Sequence, residues 1–423
     1  MSALQWIITA CSVLSTAVSC LYLIRGVYAA VGAVRTRHFP PAKTAHRYGI
    51  LIAARNEEAV IGALLDSIAA QQYPADKIQV FVVADNCAPT DRTAAIARAH
   101  GAACYERHDP TRATKGWALN FLLTQIRRDY GIGACDGYFV FDADNRLAPD
   151  YIARMNDAFD AGEKIVTSYR LASNFFANWI SFTYGVHWLS AVRLEHRGRS
   201  VLRLATRIQG TGYLFAAEVV RGGWPYTSLT EDRAFAADAV VNGYRISYCD
   251  DAVFTDEQPV GLRIALRQRI RWAKGHLQSF GESCPKLLRE LIRSRDFDRR
   301  VMCYDMALTV FPESLVYLAL SLVSTAALLG LWVMGDPSAL AAAARNALLT
   351  FFVPCAMPLY VLLAERRRIR AVRPASGRWK TVGYILMWPF FALIGTAATA
   401  IALVTRVEWK PIPHTGSLEL DNR

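Results

Sequence analysis

Two aspartates in the stretch FDADN, residues 141–145, are spaced for metal chemistry. On an extended chain Asp142 and Asp144 point to the same side, so their carboxylates meet at one place. Two such groups repel each other unless a cation lies between them. A hard divalent ion that bridges to a diphosphate would suit this pair, since such ions favour carboxylate and phosphate oxygens. The alternative is that both aspartates belong to a solvated turn or a helix cap.

The elements that must position this pair are short strands alternating with helices. Strands are predicted in the apolar runs at 48–54, 78–84, 102–106 and 137–141. Helices are predicted between and after them, at 57–70, 91–100, 115–128 and 148–160. This alternation predicts a Rossmann-like parallel α/β sheet, and we expect the half of the chain that contains it to divide at about residue 160. Ligands bind such sheets outside the carboxyl ends of the strands.

Acidic residues follow two further strands of this predicted sheet. Asp85 ends the run VVADN, and Glu57 lies in ARNEE just after the first strand. Asp85 would therefore add a third carboxylate to the same edge. Its alternative role is to cap helix 91–100, although Thr90 and Asp91 are better placed for that. The glycine fingerprint GxGxxG is absent, which argues against a nicotinamide-dependent dehydrogenase.

A third acidic group lies in the sequence LTEDRAF. Thr230 is expected to cap a helix that begins at Glu231, which places Glu231 and Asp232 in the first turn. The helix dipole favours acids there, so structure alone could explain the pattern. A carboxylate held rigidly at a helix start is also well placed to act as a general base.

The stretch LRQRIRWAKGH, residues 266–276, predicts an amphipathic helix. One face carries an apolar stripe, and Gln268, Arg271 and Trp272 lie on the opposite face. The stripe and the basic residues beside it, Arg263, Arg267, Arg269 and Lys274, suit a helix in a membrane interface that faces lipid phosphates. The other face offers a guanidinium for a diphosphate and a ring on which a sugar can stack. A purely membrane-anchoring helix is the alternative, but it leaves this second face unexplained.

The composition predicts an integral membrane protein, since 53% of the residues are hydrophobic and only 20% are charged. Apolar runs long enough to cross a bilayer, or nearly so, lie at 4–24, 314–335, 347–364 and 382–405. Basic residues follow the first run and fill the loop between the third and fourth, which predicts a cytosolic location for residues 48–305. Because the basic residues do not precede the first run, a cleaved signal peptide is the weaker interpretation.

The nine cysteines show no CxxC pair and no histidine spacing suited to zinc, so reduced thiols are expected. The net charge of +12 is explained in part by the basic loops at the membrane, and no nucleic-acid partner is expected. The predicted segments are an N-terminal transmembrane helix, a catalytic domain, interface helices, three transmembrane helices and a tail, at 1–34, 48–258, 259–305, 306–406 and 407–423.

The ordered motifs resemble those of membrane-embedded family 2 glycosyltransferases, which include cellulose, chitin and hyaluronan synthases. They are the early Asp85, the DxD of Asp142 and Asp144, the TED at 230–232 and the QxxRW at 268–272. ARNEE resembles the family's nucleotide-binding strand end, and KGWALN at 115–120 resembles its KxxALN element. The resemblance covers residues 48–285, and the ordered combination is more specific than any single motif.

This resemblance implies a GT-A fold that binds a UDP-sugar and uses Mg²⁺ or Mn²⁺ held by Asp142 and Asp144. It implies that Asp232 is the catalytic base. The substrate would be bound by Glu57, Asp85, Lys115, Asp142, Glu231, Gln268, Arg271 and Trp272, with Trp272 under the acceptor sugar.

The implied function is processive synthesis of a β-linked polysaccharide at the plasma membrane, with export of the chain. The alternative is a lipid glycosyltransferase of the ceramide-glucosyltransferase type, which makes a single-sugar lipid. A non-catalytic scaffold is a third reading, but all of the polar motif residues are present. The chain departs from bacterial cellulose synthase in having fewer spans, no cyclic-dinucleotide-binding domain and no recognisable FxVTxK loop.

Overall fold

The computed structural model describes residues 2–372 and 378–407 of the chain. Its centre is an eight-stranded sheet with the spatial order β3-β2-β1-β4-β7-β6-β8-β5. The strands are β1 (Tyr48–Ala54), β2 (Ile78–Asp85), β3 (Ala103–Arg107), β4 (Gly137–Phe141), β5 (Arg146–Leu147), β6 (Ile165–Ala172), β7 (Tyr213–Ala216) and β8 (Ile246–Asp256).

The first half of the sheet is parallel, as the sequence predicts. Tyr48 at the start of β1 is in register with Ile78 of β2 on one side and with Gly137 of β4 on the other. All five residues of β4 are buried, because helices cover both faces of the sheet. The four predicted strands agree with the observed ones to within one residue at each end. Their carboxyl ends therefore meet at one edge.

The division expected near residue 160 is not a break in the sheet, so that expectation is wrong. β7 pairs antiparallel with both β4 and β6, and β6 pairs parallel with β8. These later strands continue the same sheet, since β4 would otherwise leave an unpaired edge in the core. Only local alternation is visible in a sequence, so pairing between strands 70 residues apart was not predicted.

Within the described part of the chain, nine α-helices lie before or within the sheet domain, and eight follow it. The first set is α1 (Ala3–Leu21), α2 (Leu23–Val34), α3 (Ile61–Ala69), α4 (Thr93–Ala99), α5 (Lys115–Asp129), α6 (Tyr151–Asp160), α7 (Trp179–Ala191), α8 (Arg197–Val201) and α9 (Glu231–Val241). The second set is α10 (Leu262–Arg293), α11 (Phe297–Val310), α12 (Glu313–Val333), α13 (Pro337–Phe352), α14 (Ala356–Ala364), α15 (Arg366–Ile369), α16 (Arg378–Leu386) and α17 (Trp388–Val404).

Among the described residues, four helical stretches are long and apolar enough to cross a membrane, as the sequence predicts. They are Ala3–Leu21, Glu313–Val333, Pro337–Ala364 and Trp379–Val404. Several bounds differ by one to three residues or more from the expected ones, and two of these differences have a visible cause. The first stretch ends at Leu21, because the helix is interrupted at Tyr22 before α2 begins. The third begins ten residues earlier than expected, at Pro337, where Asp336 caps the helix. The predicted tail, 407–423, lies almost entirely outside the described residues.

The predicted interface segment is built from two helices, of which α10 is a single helix of 32 residues. Of the four basic residues assigned to lipid phosphates, Arg263 and Arg267 are exposed, but Arg269 and Lys274 pack against another helix, so the prediction is wrong for those two. The Arg269 guanidinium lies 3.4 Å from the ring centre of Phe391, and Lys274 Nζ donates to the Ala402 carbonyl over 2.9 Å. Helix α17 therefore runs along α10 and occupies the side that the sequence pattern assigned to lipid headgroups.

Buried ion pairs join the sheet domain to the segment that follows the third apolar stretch. Glu365 is buried and forms ion pairs with Arg193 and Arg197, the latter at 3.2 Å. Three residues later, Arg368 donates to Asp250 over 2.9 Å. The start of the basic loop thus lies against the sheet domain.

The N-terminal helices are held to the domain by a close backbone contact between α2 and α8. A Cβ atom at Gly198 would lie 1.7 Å from the carbonyl oxygen of Tyr28. No side chain fits there, so the two helices approach each other only because this residue is glycine.

We therefore expect Gly198→Ala to lower the stability of the purified protein by about 1–3 kcal/mol, the usual cost of overpacking. Thermal unfolding followed by intrinsic fluorescence would measure the change. Gly222→Ala is the matched control, because a Cβ atom there meets nothing within 4 Å. Equal melting temperatures for the two variants would contradict the contact.

Candidate active site

A cavity of about 230 Å³ opens at the carboxyl ends of β1, β2 and β4. Helices α7, α9 and α10 close its other sides. The structure brings together in this one cavity every residue for which the sequence predicts a role: Glu57, Asp85, Lys115, Asp142, Asp144, Glu231, Asp232, Gln268, Arg271 and Trp272. They come from parts of the chain more than 200 residues apart.

At one end of the cavity, Asp85 lies buried between two arginines. It forms an ion pair with Arg55, and Arg107 Nη1 donates to it over 2.5 Å. The structure gives it no role in capping the helix that follows, where Asp91 accepts from the Thr93 amide instead. Two guanidiniums compensate one buried carboxylate, so this end can hold polar groups without a net negative charge.

Asp142 and Asp144 lie between this end and helix α9. Lys115 forms an ion pair with Asp142 and also donates to the Gly210 carbonyl over 2.8 Å. Burial alone would lower the pKa of Lys115, but the Asp142 and Glu231 carboxylates outweigh it and raise that pKa. Lys115 therefore stays charged and is already bound to the first aspartate of the DxD.

The residues around the DxD fit a divalent ion that is shared with a ligand. Burial, together with the Asp144 and Asp142 carboxylates, raises the pKa of Glu57 to about 9, which shows how poorly this edge tolerates further negative charge. Within residues 2–372 and 378–407, no group of three or more histidine, cysteine or acidic side chains is placed to hold an ion alone. An ion bound by Asp142 and Asp144 would complete its oxygen ligands from a diphosphate and water.

Helix α9 begins with Glu231, as predicted, and carries both acidic residues into the cavity wall. Burial and the neighbouring Asp232 raise the pKa of Glu231 against the opposing effect of Lys115, to about 7. Asp232 is less buried and faces Gly210, where a Cβ atom would lie 3.8 Å from its Oδ2. Gly210 has a φ of +81°, a backbone conformation that favours glycine.

The expected side-chain cap by Thr230 is absent from the structure. Thr230 instead packs against Gly275 of α10, and its hydroxyl lies 3.4 Å from that of Ser279. Tertiary packing against α10 thus replaces the local hydrogen bond, and it ties α9 to the helix that carries the QxxRW residues.

Helix α10 presents three polar or aromatic side chains to the cavity. Burial lowers the pKa of Arg271, and its Nη1 donates to the Leu229 carbonyl over 3.2 Å. Gln268 has a buried amide oxygen that accepts no hydrogen bond from the described residues. Trp272 meets Trp188 and Tyr184 edge to face, with ring centres 5.5 and 5.8 Å apart. Buried polar atoms without partners are rare, so the Gln268 oxygen points to a missing ligand.

The structure adds site residues that the sequence reading missed. Arg170 Nε donates to Asp256 over 2.9 Å, and its guanidinium lies 3.9 Å from the ring centre of Trp188. Gln258 joins this network by donating to Asp256 over 2.7 Å and accepting from Trp188 over 3.0 Å. The charged residue inside the fully buried strand IVTSYRLA was the available signal. Arg207, Arg233 and His187 also line the cavity.

Comparison with known proteins agrees with this geometry. A family model described as "Glycosyltransferase like family 2" matches residues 46–275, which is more than half of the chain. The chain belongs to this family. The matched range includes the strands, α9 and the part of α10 that lines the cavity.

Relatives within the family differ in name. The probable glycosyltransferase YdaM of Bacillus subtilis is 27% identical over 250 residues, which cover 54% of this chain and 55% of the relative. The beta-monoglucosyldiacylglycerol synthase of Synechocystis is 28% identical over 240 residues, which cover 55% and 48%. The chain spans about half the length of these relatives.

The fold is that of a solved mannosyltransferase from Pyrobaculum calidifontis, determined in complex with GDP-Man and Mn²⁺. The match has a TM-score of 0.60 and 22% identity, and covers 86% of this chain and 99% of that one. The predicted GT-A fold with an attached apolar helical region is thereby confirmed.

The carboxylate pair generates a prediction about metal binding. We expect Asp144→Asn to weaken Mn²⁺ binding about tenfold or more in the presence of UDP, because it removes one of two anionic ligands. Electron paramagnetic resonance of free Mn²⁺ would measure this. Asp76→Asn, an exposed position outside the cavity, is the matched control. Unchanged Mn²⁺ affinity in Asp144→Asn would exclude the DxD as the ion site.

Proposed function

We propose that this protein transfers a sugar from a UDP-sugar to a hydroxyl of a membrane lipid, with inversion at the sugar carbon. The observation that carries the proposal is the position of the cavity. At one end it has the carboxylates that suit a nucleoside diphosphate and its ion. At the other end, Trp272 and His187 pack near Phe391 in the first turn of α17, within the last apolar stretch.

The donor would lie along the strand ends. Asp85, held by Arg55 and Arg107, would accept hydrogen bonds from the uracil or ribose. An Mg²⁺ or Mn²⁺ ion on Asp142 and Asp144 would neutralise the diphosphate and stabilise UDP as it leaves. Arg271 and the Gln268 amide would hold the same diphosphate from the side of α10.

The transfer itself needs one base behind the attacking hydroxyl. Asp232 is the proposed base, because its carboxylate reaches the cavity and Gly210 opposite leaves room for the acceptor. Glu231 is more deeply buried than Asp232 and lies close to Lys115. Its proposed role is to bind the substrate and to position Lys115. Arg271 stabilises the developing negative charge on the leaving group.

The acceptor end has an aromatic wall that continues into the apolar helices. The His187 and Phe391 rings lie 6.2 Å apart, and Tyr184 lies 5.1 Å from Phe391. Burial lowers the pKa of His187 well below its usual value, so this histidine is uncharged at neutral pH. Such a surface suits the glycerol backbone or first methylenes of a lipid.

Elongation of a polysaccharide is the second candidate. Trp272 and Trp188 together form a surface on which the sugar of a growing chain can stack. In either case we place the sheet domain on the cytosolic side of the plasma membrane, because UDP-sugars are made there and the basic loops accord with it.

The nature of the product distinguishes the two candidates. Purified full-length protein would be incubated with a panel of radiolabelled UDP-sugars in vesicles that contain hydroxyl-bearing lipids. We expect the label in the organic phase as a single-sugar lipid. Label in a large water-soluble polymer would favour the second candidate, and the absence of transfer from any nucleotide sugar would contradict both.

Three variants test the proposed roles. Asp232→Asn should keep UDP affinity but lower transfer by about two orders of magnitude or more, since only the base is lost. Trp272→Ala should keep UDP affinity and raise the KM for the acceptor. Arg271→Ala should weaken UDP binding itself.

Calorimetry with UDP and initial rates measure these effects, with Arg289→Gln on the exposed face of α10 as control. If all three lose UDP affinity alike, the roles are wrongly divided.

A further inference from the structure

Arg233 is a cation in the cavity wall that the proposed donor site does not use. It is partly buried and lines the cavity beside Asp232. In the described ranges, 2–372 and 378–407, no residue forms a hydrogen bond, ion pair or ring contact with its guanidinium. Most buried cations in proteins are paired, because removing them from water is costly.

Its position in α9 is also unfavourable. Arg233 lies in the first turn of the helix, where the dipole favours acids and disfavours cations. Burial, together with the positive charge of Arg207, lowers the pKa of Arg233. Neither local helix energetics nor a partner side chain therefore explains an arginine here.

A second guanidinium lies in the same part of the cavity. Arg207 donates to Glu195 over 2.8 Å, and Glu195 is shared with Arg199 at 3.1 Å. Arg199 in turn is paired with the buried Asp305. Three arginines, including Arg233, thus face two carboxylates, which leaves one positive charge uncompensated within this group.

This cationic pair is distinct from the cations of the proposed donor site. The carboxylates that act on Lys115 and Arg271 are Asp142, Glu231 and Asp232. The charges that act on Arg233 belong to Arg207, Asp232 and Glu195. Asp232, the proposed base, is the carboxylate common to both sets, so it lies within the influence of both cationic groups.

We propose that Arg233, supported by Arg207, binds a phosphate on the acceptor, and that the acceptor is therefore an anionic lipid with a hydroxyl near its phosphate. The inference rests on the proposed function and specifies its acceptor class. Arg233 directly follows the base in the chain, so a phosphate held there keeps the attacking hydroxyl close to Asp232. A guanidinium binds a phosphate through paired hydrogen bonds that a neutral headgroup cannot make.

A lipid is the favoured source of this phosphate because of what surrounds it. His187 also lines the cavity, and burial and the positive charge of Arg207 both lower its pKa. Its ring centre lies 6.2 Å from that of Phe391 in α17. His187 therefore links the proposed phosphate site to the apolar helices. A soluble sugar phosphate would need the cations but not this wall.

Binding of inorganic phosphate, measured by calorimetry with UDP and Mn²⁺ saturating, tests the site without any transfer reaction. We expect the wild-type protein to bind phosphate and Arg233→Gln to bind it about tenfold more weakly or worse, the usual effect of losing a charge-assisted hydrogen bond. Arg233→Gln breaks no observed bond, so its melting temperature should match that of the control Arg289→Gln. Equal phosphate binding in wild type and Arg233→Gln, or no binding in either, would overturn the proposal.

Acceptor preference then identifies the source of the phosphate. In phosphatidylcholine vesicles, we expect the wild-type KM for phosphatidylglycerol to be about tenfold below that for diacylglycerol. Arg233→Gln should remove this difference in KM, and Arg233→Lys should retain part of it. Equal KM values in the wild type would overturn the lipid assignment, as would a preference for free glycerol phosphate. Because phosphate binding needs no turnover, a failure of this site remains distinguishable from a failure of the proposed transferase function.

Discussion

Mutual repulsion among carboxylates is the constraint on which this structure depends. Glu57, Asp85, Asp142, Asp144, Glu231 and Asp232 all reach one cavity. Each further carboxylate in such a cavity makes it less favourable for the others to be ionised. Positively charged side chains must therefore lie at the same edge of the sheet. Arg55 and Arg107 come from the sheet, and Lys115 from the start of α5. Arg271 comes from α10, which is not part of the sheet domain at all, so a complete cavity requires α10 to be docked.

The docking of α10 couples the cavity to the apolar helices. One side of α10 packs on α9 through Gly275 and Thr230, and another lies along α17 through Arg269 and Phe391. Buried ion pairs around Glu365 and Asp250 hold the end of the third apolar stretch to the sheet domain. Such pairs contribute little net stability once desolvation is counted, but they penalise any other arrangement in which a charge would be left alone.

Several elements were predictable because their signals are local. The runs at 48–54 and 137–141 were assigned with the observed bounds, since buried parallel strands are apolar throughout. Later strands escaped prediction, because β7 is only four residues long and its partners are distant in the chain. The outward orientation of Arg269 and Lys274 was predicted wrongly for a related reason. A helical pattern shows which residues share a face, but not which element covers that face.

The sequence by itself determined the chemistry of this protein: an ordered set of acidic, basic and aromatic motifs, and the apolar stretches beside them. Residue types and short spacings carry that information, because side-chain chemistry and helix or strand periodicity are local properties. Only the tertiary structure decided which charges compensate one another. It assigned Lys115 to Asp142 and two arginines to Asp85, and it left Arg233 without a partner in the part of the chain that the structure describes. Charge compensation depends on distances between segments far apart in the chain, and those distances exist only after the sheet has formed and α10 has packed against it.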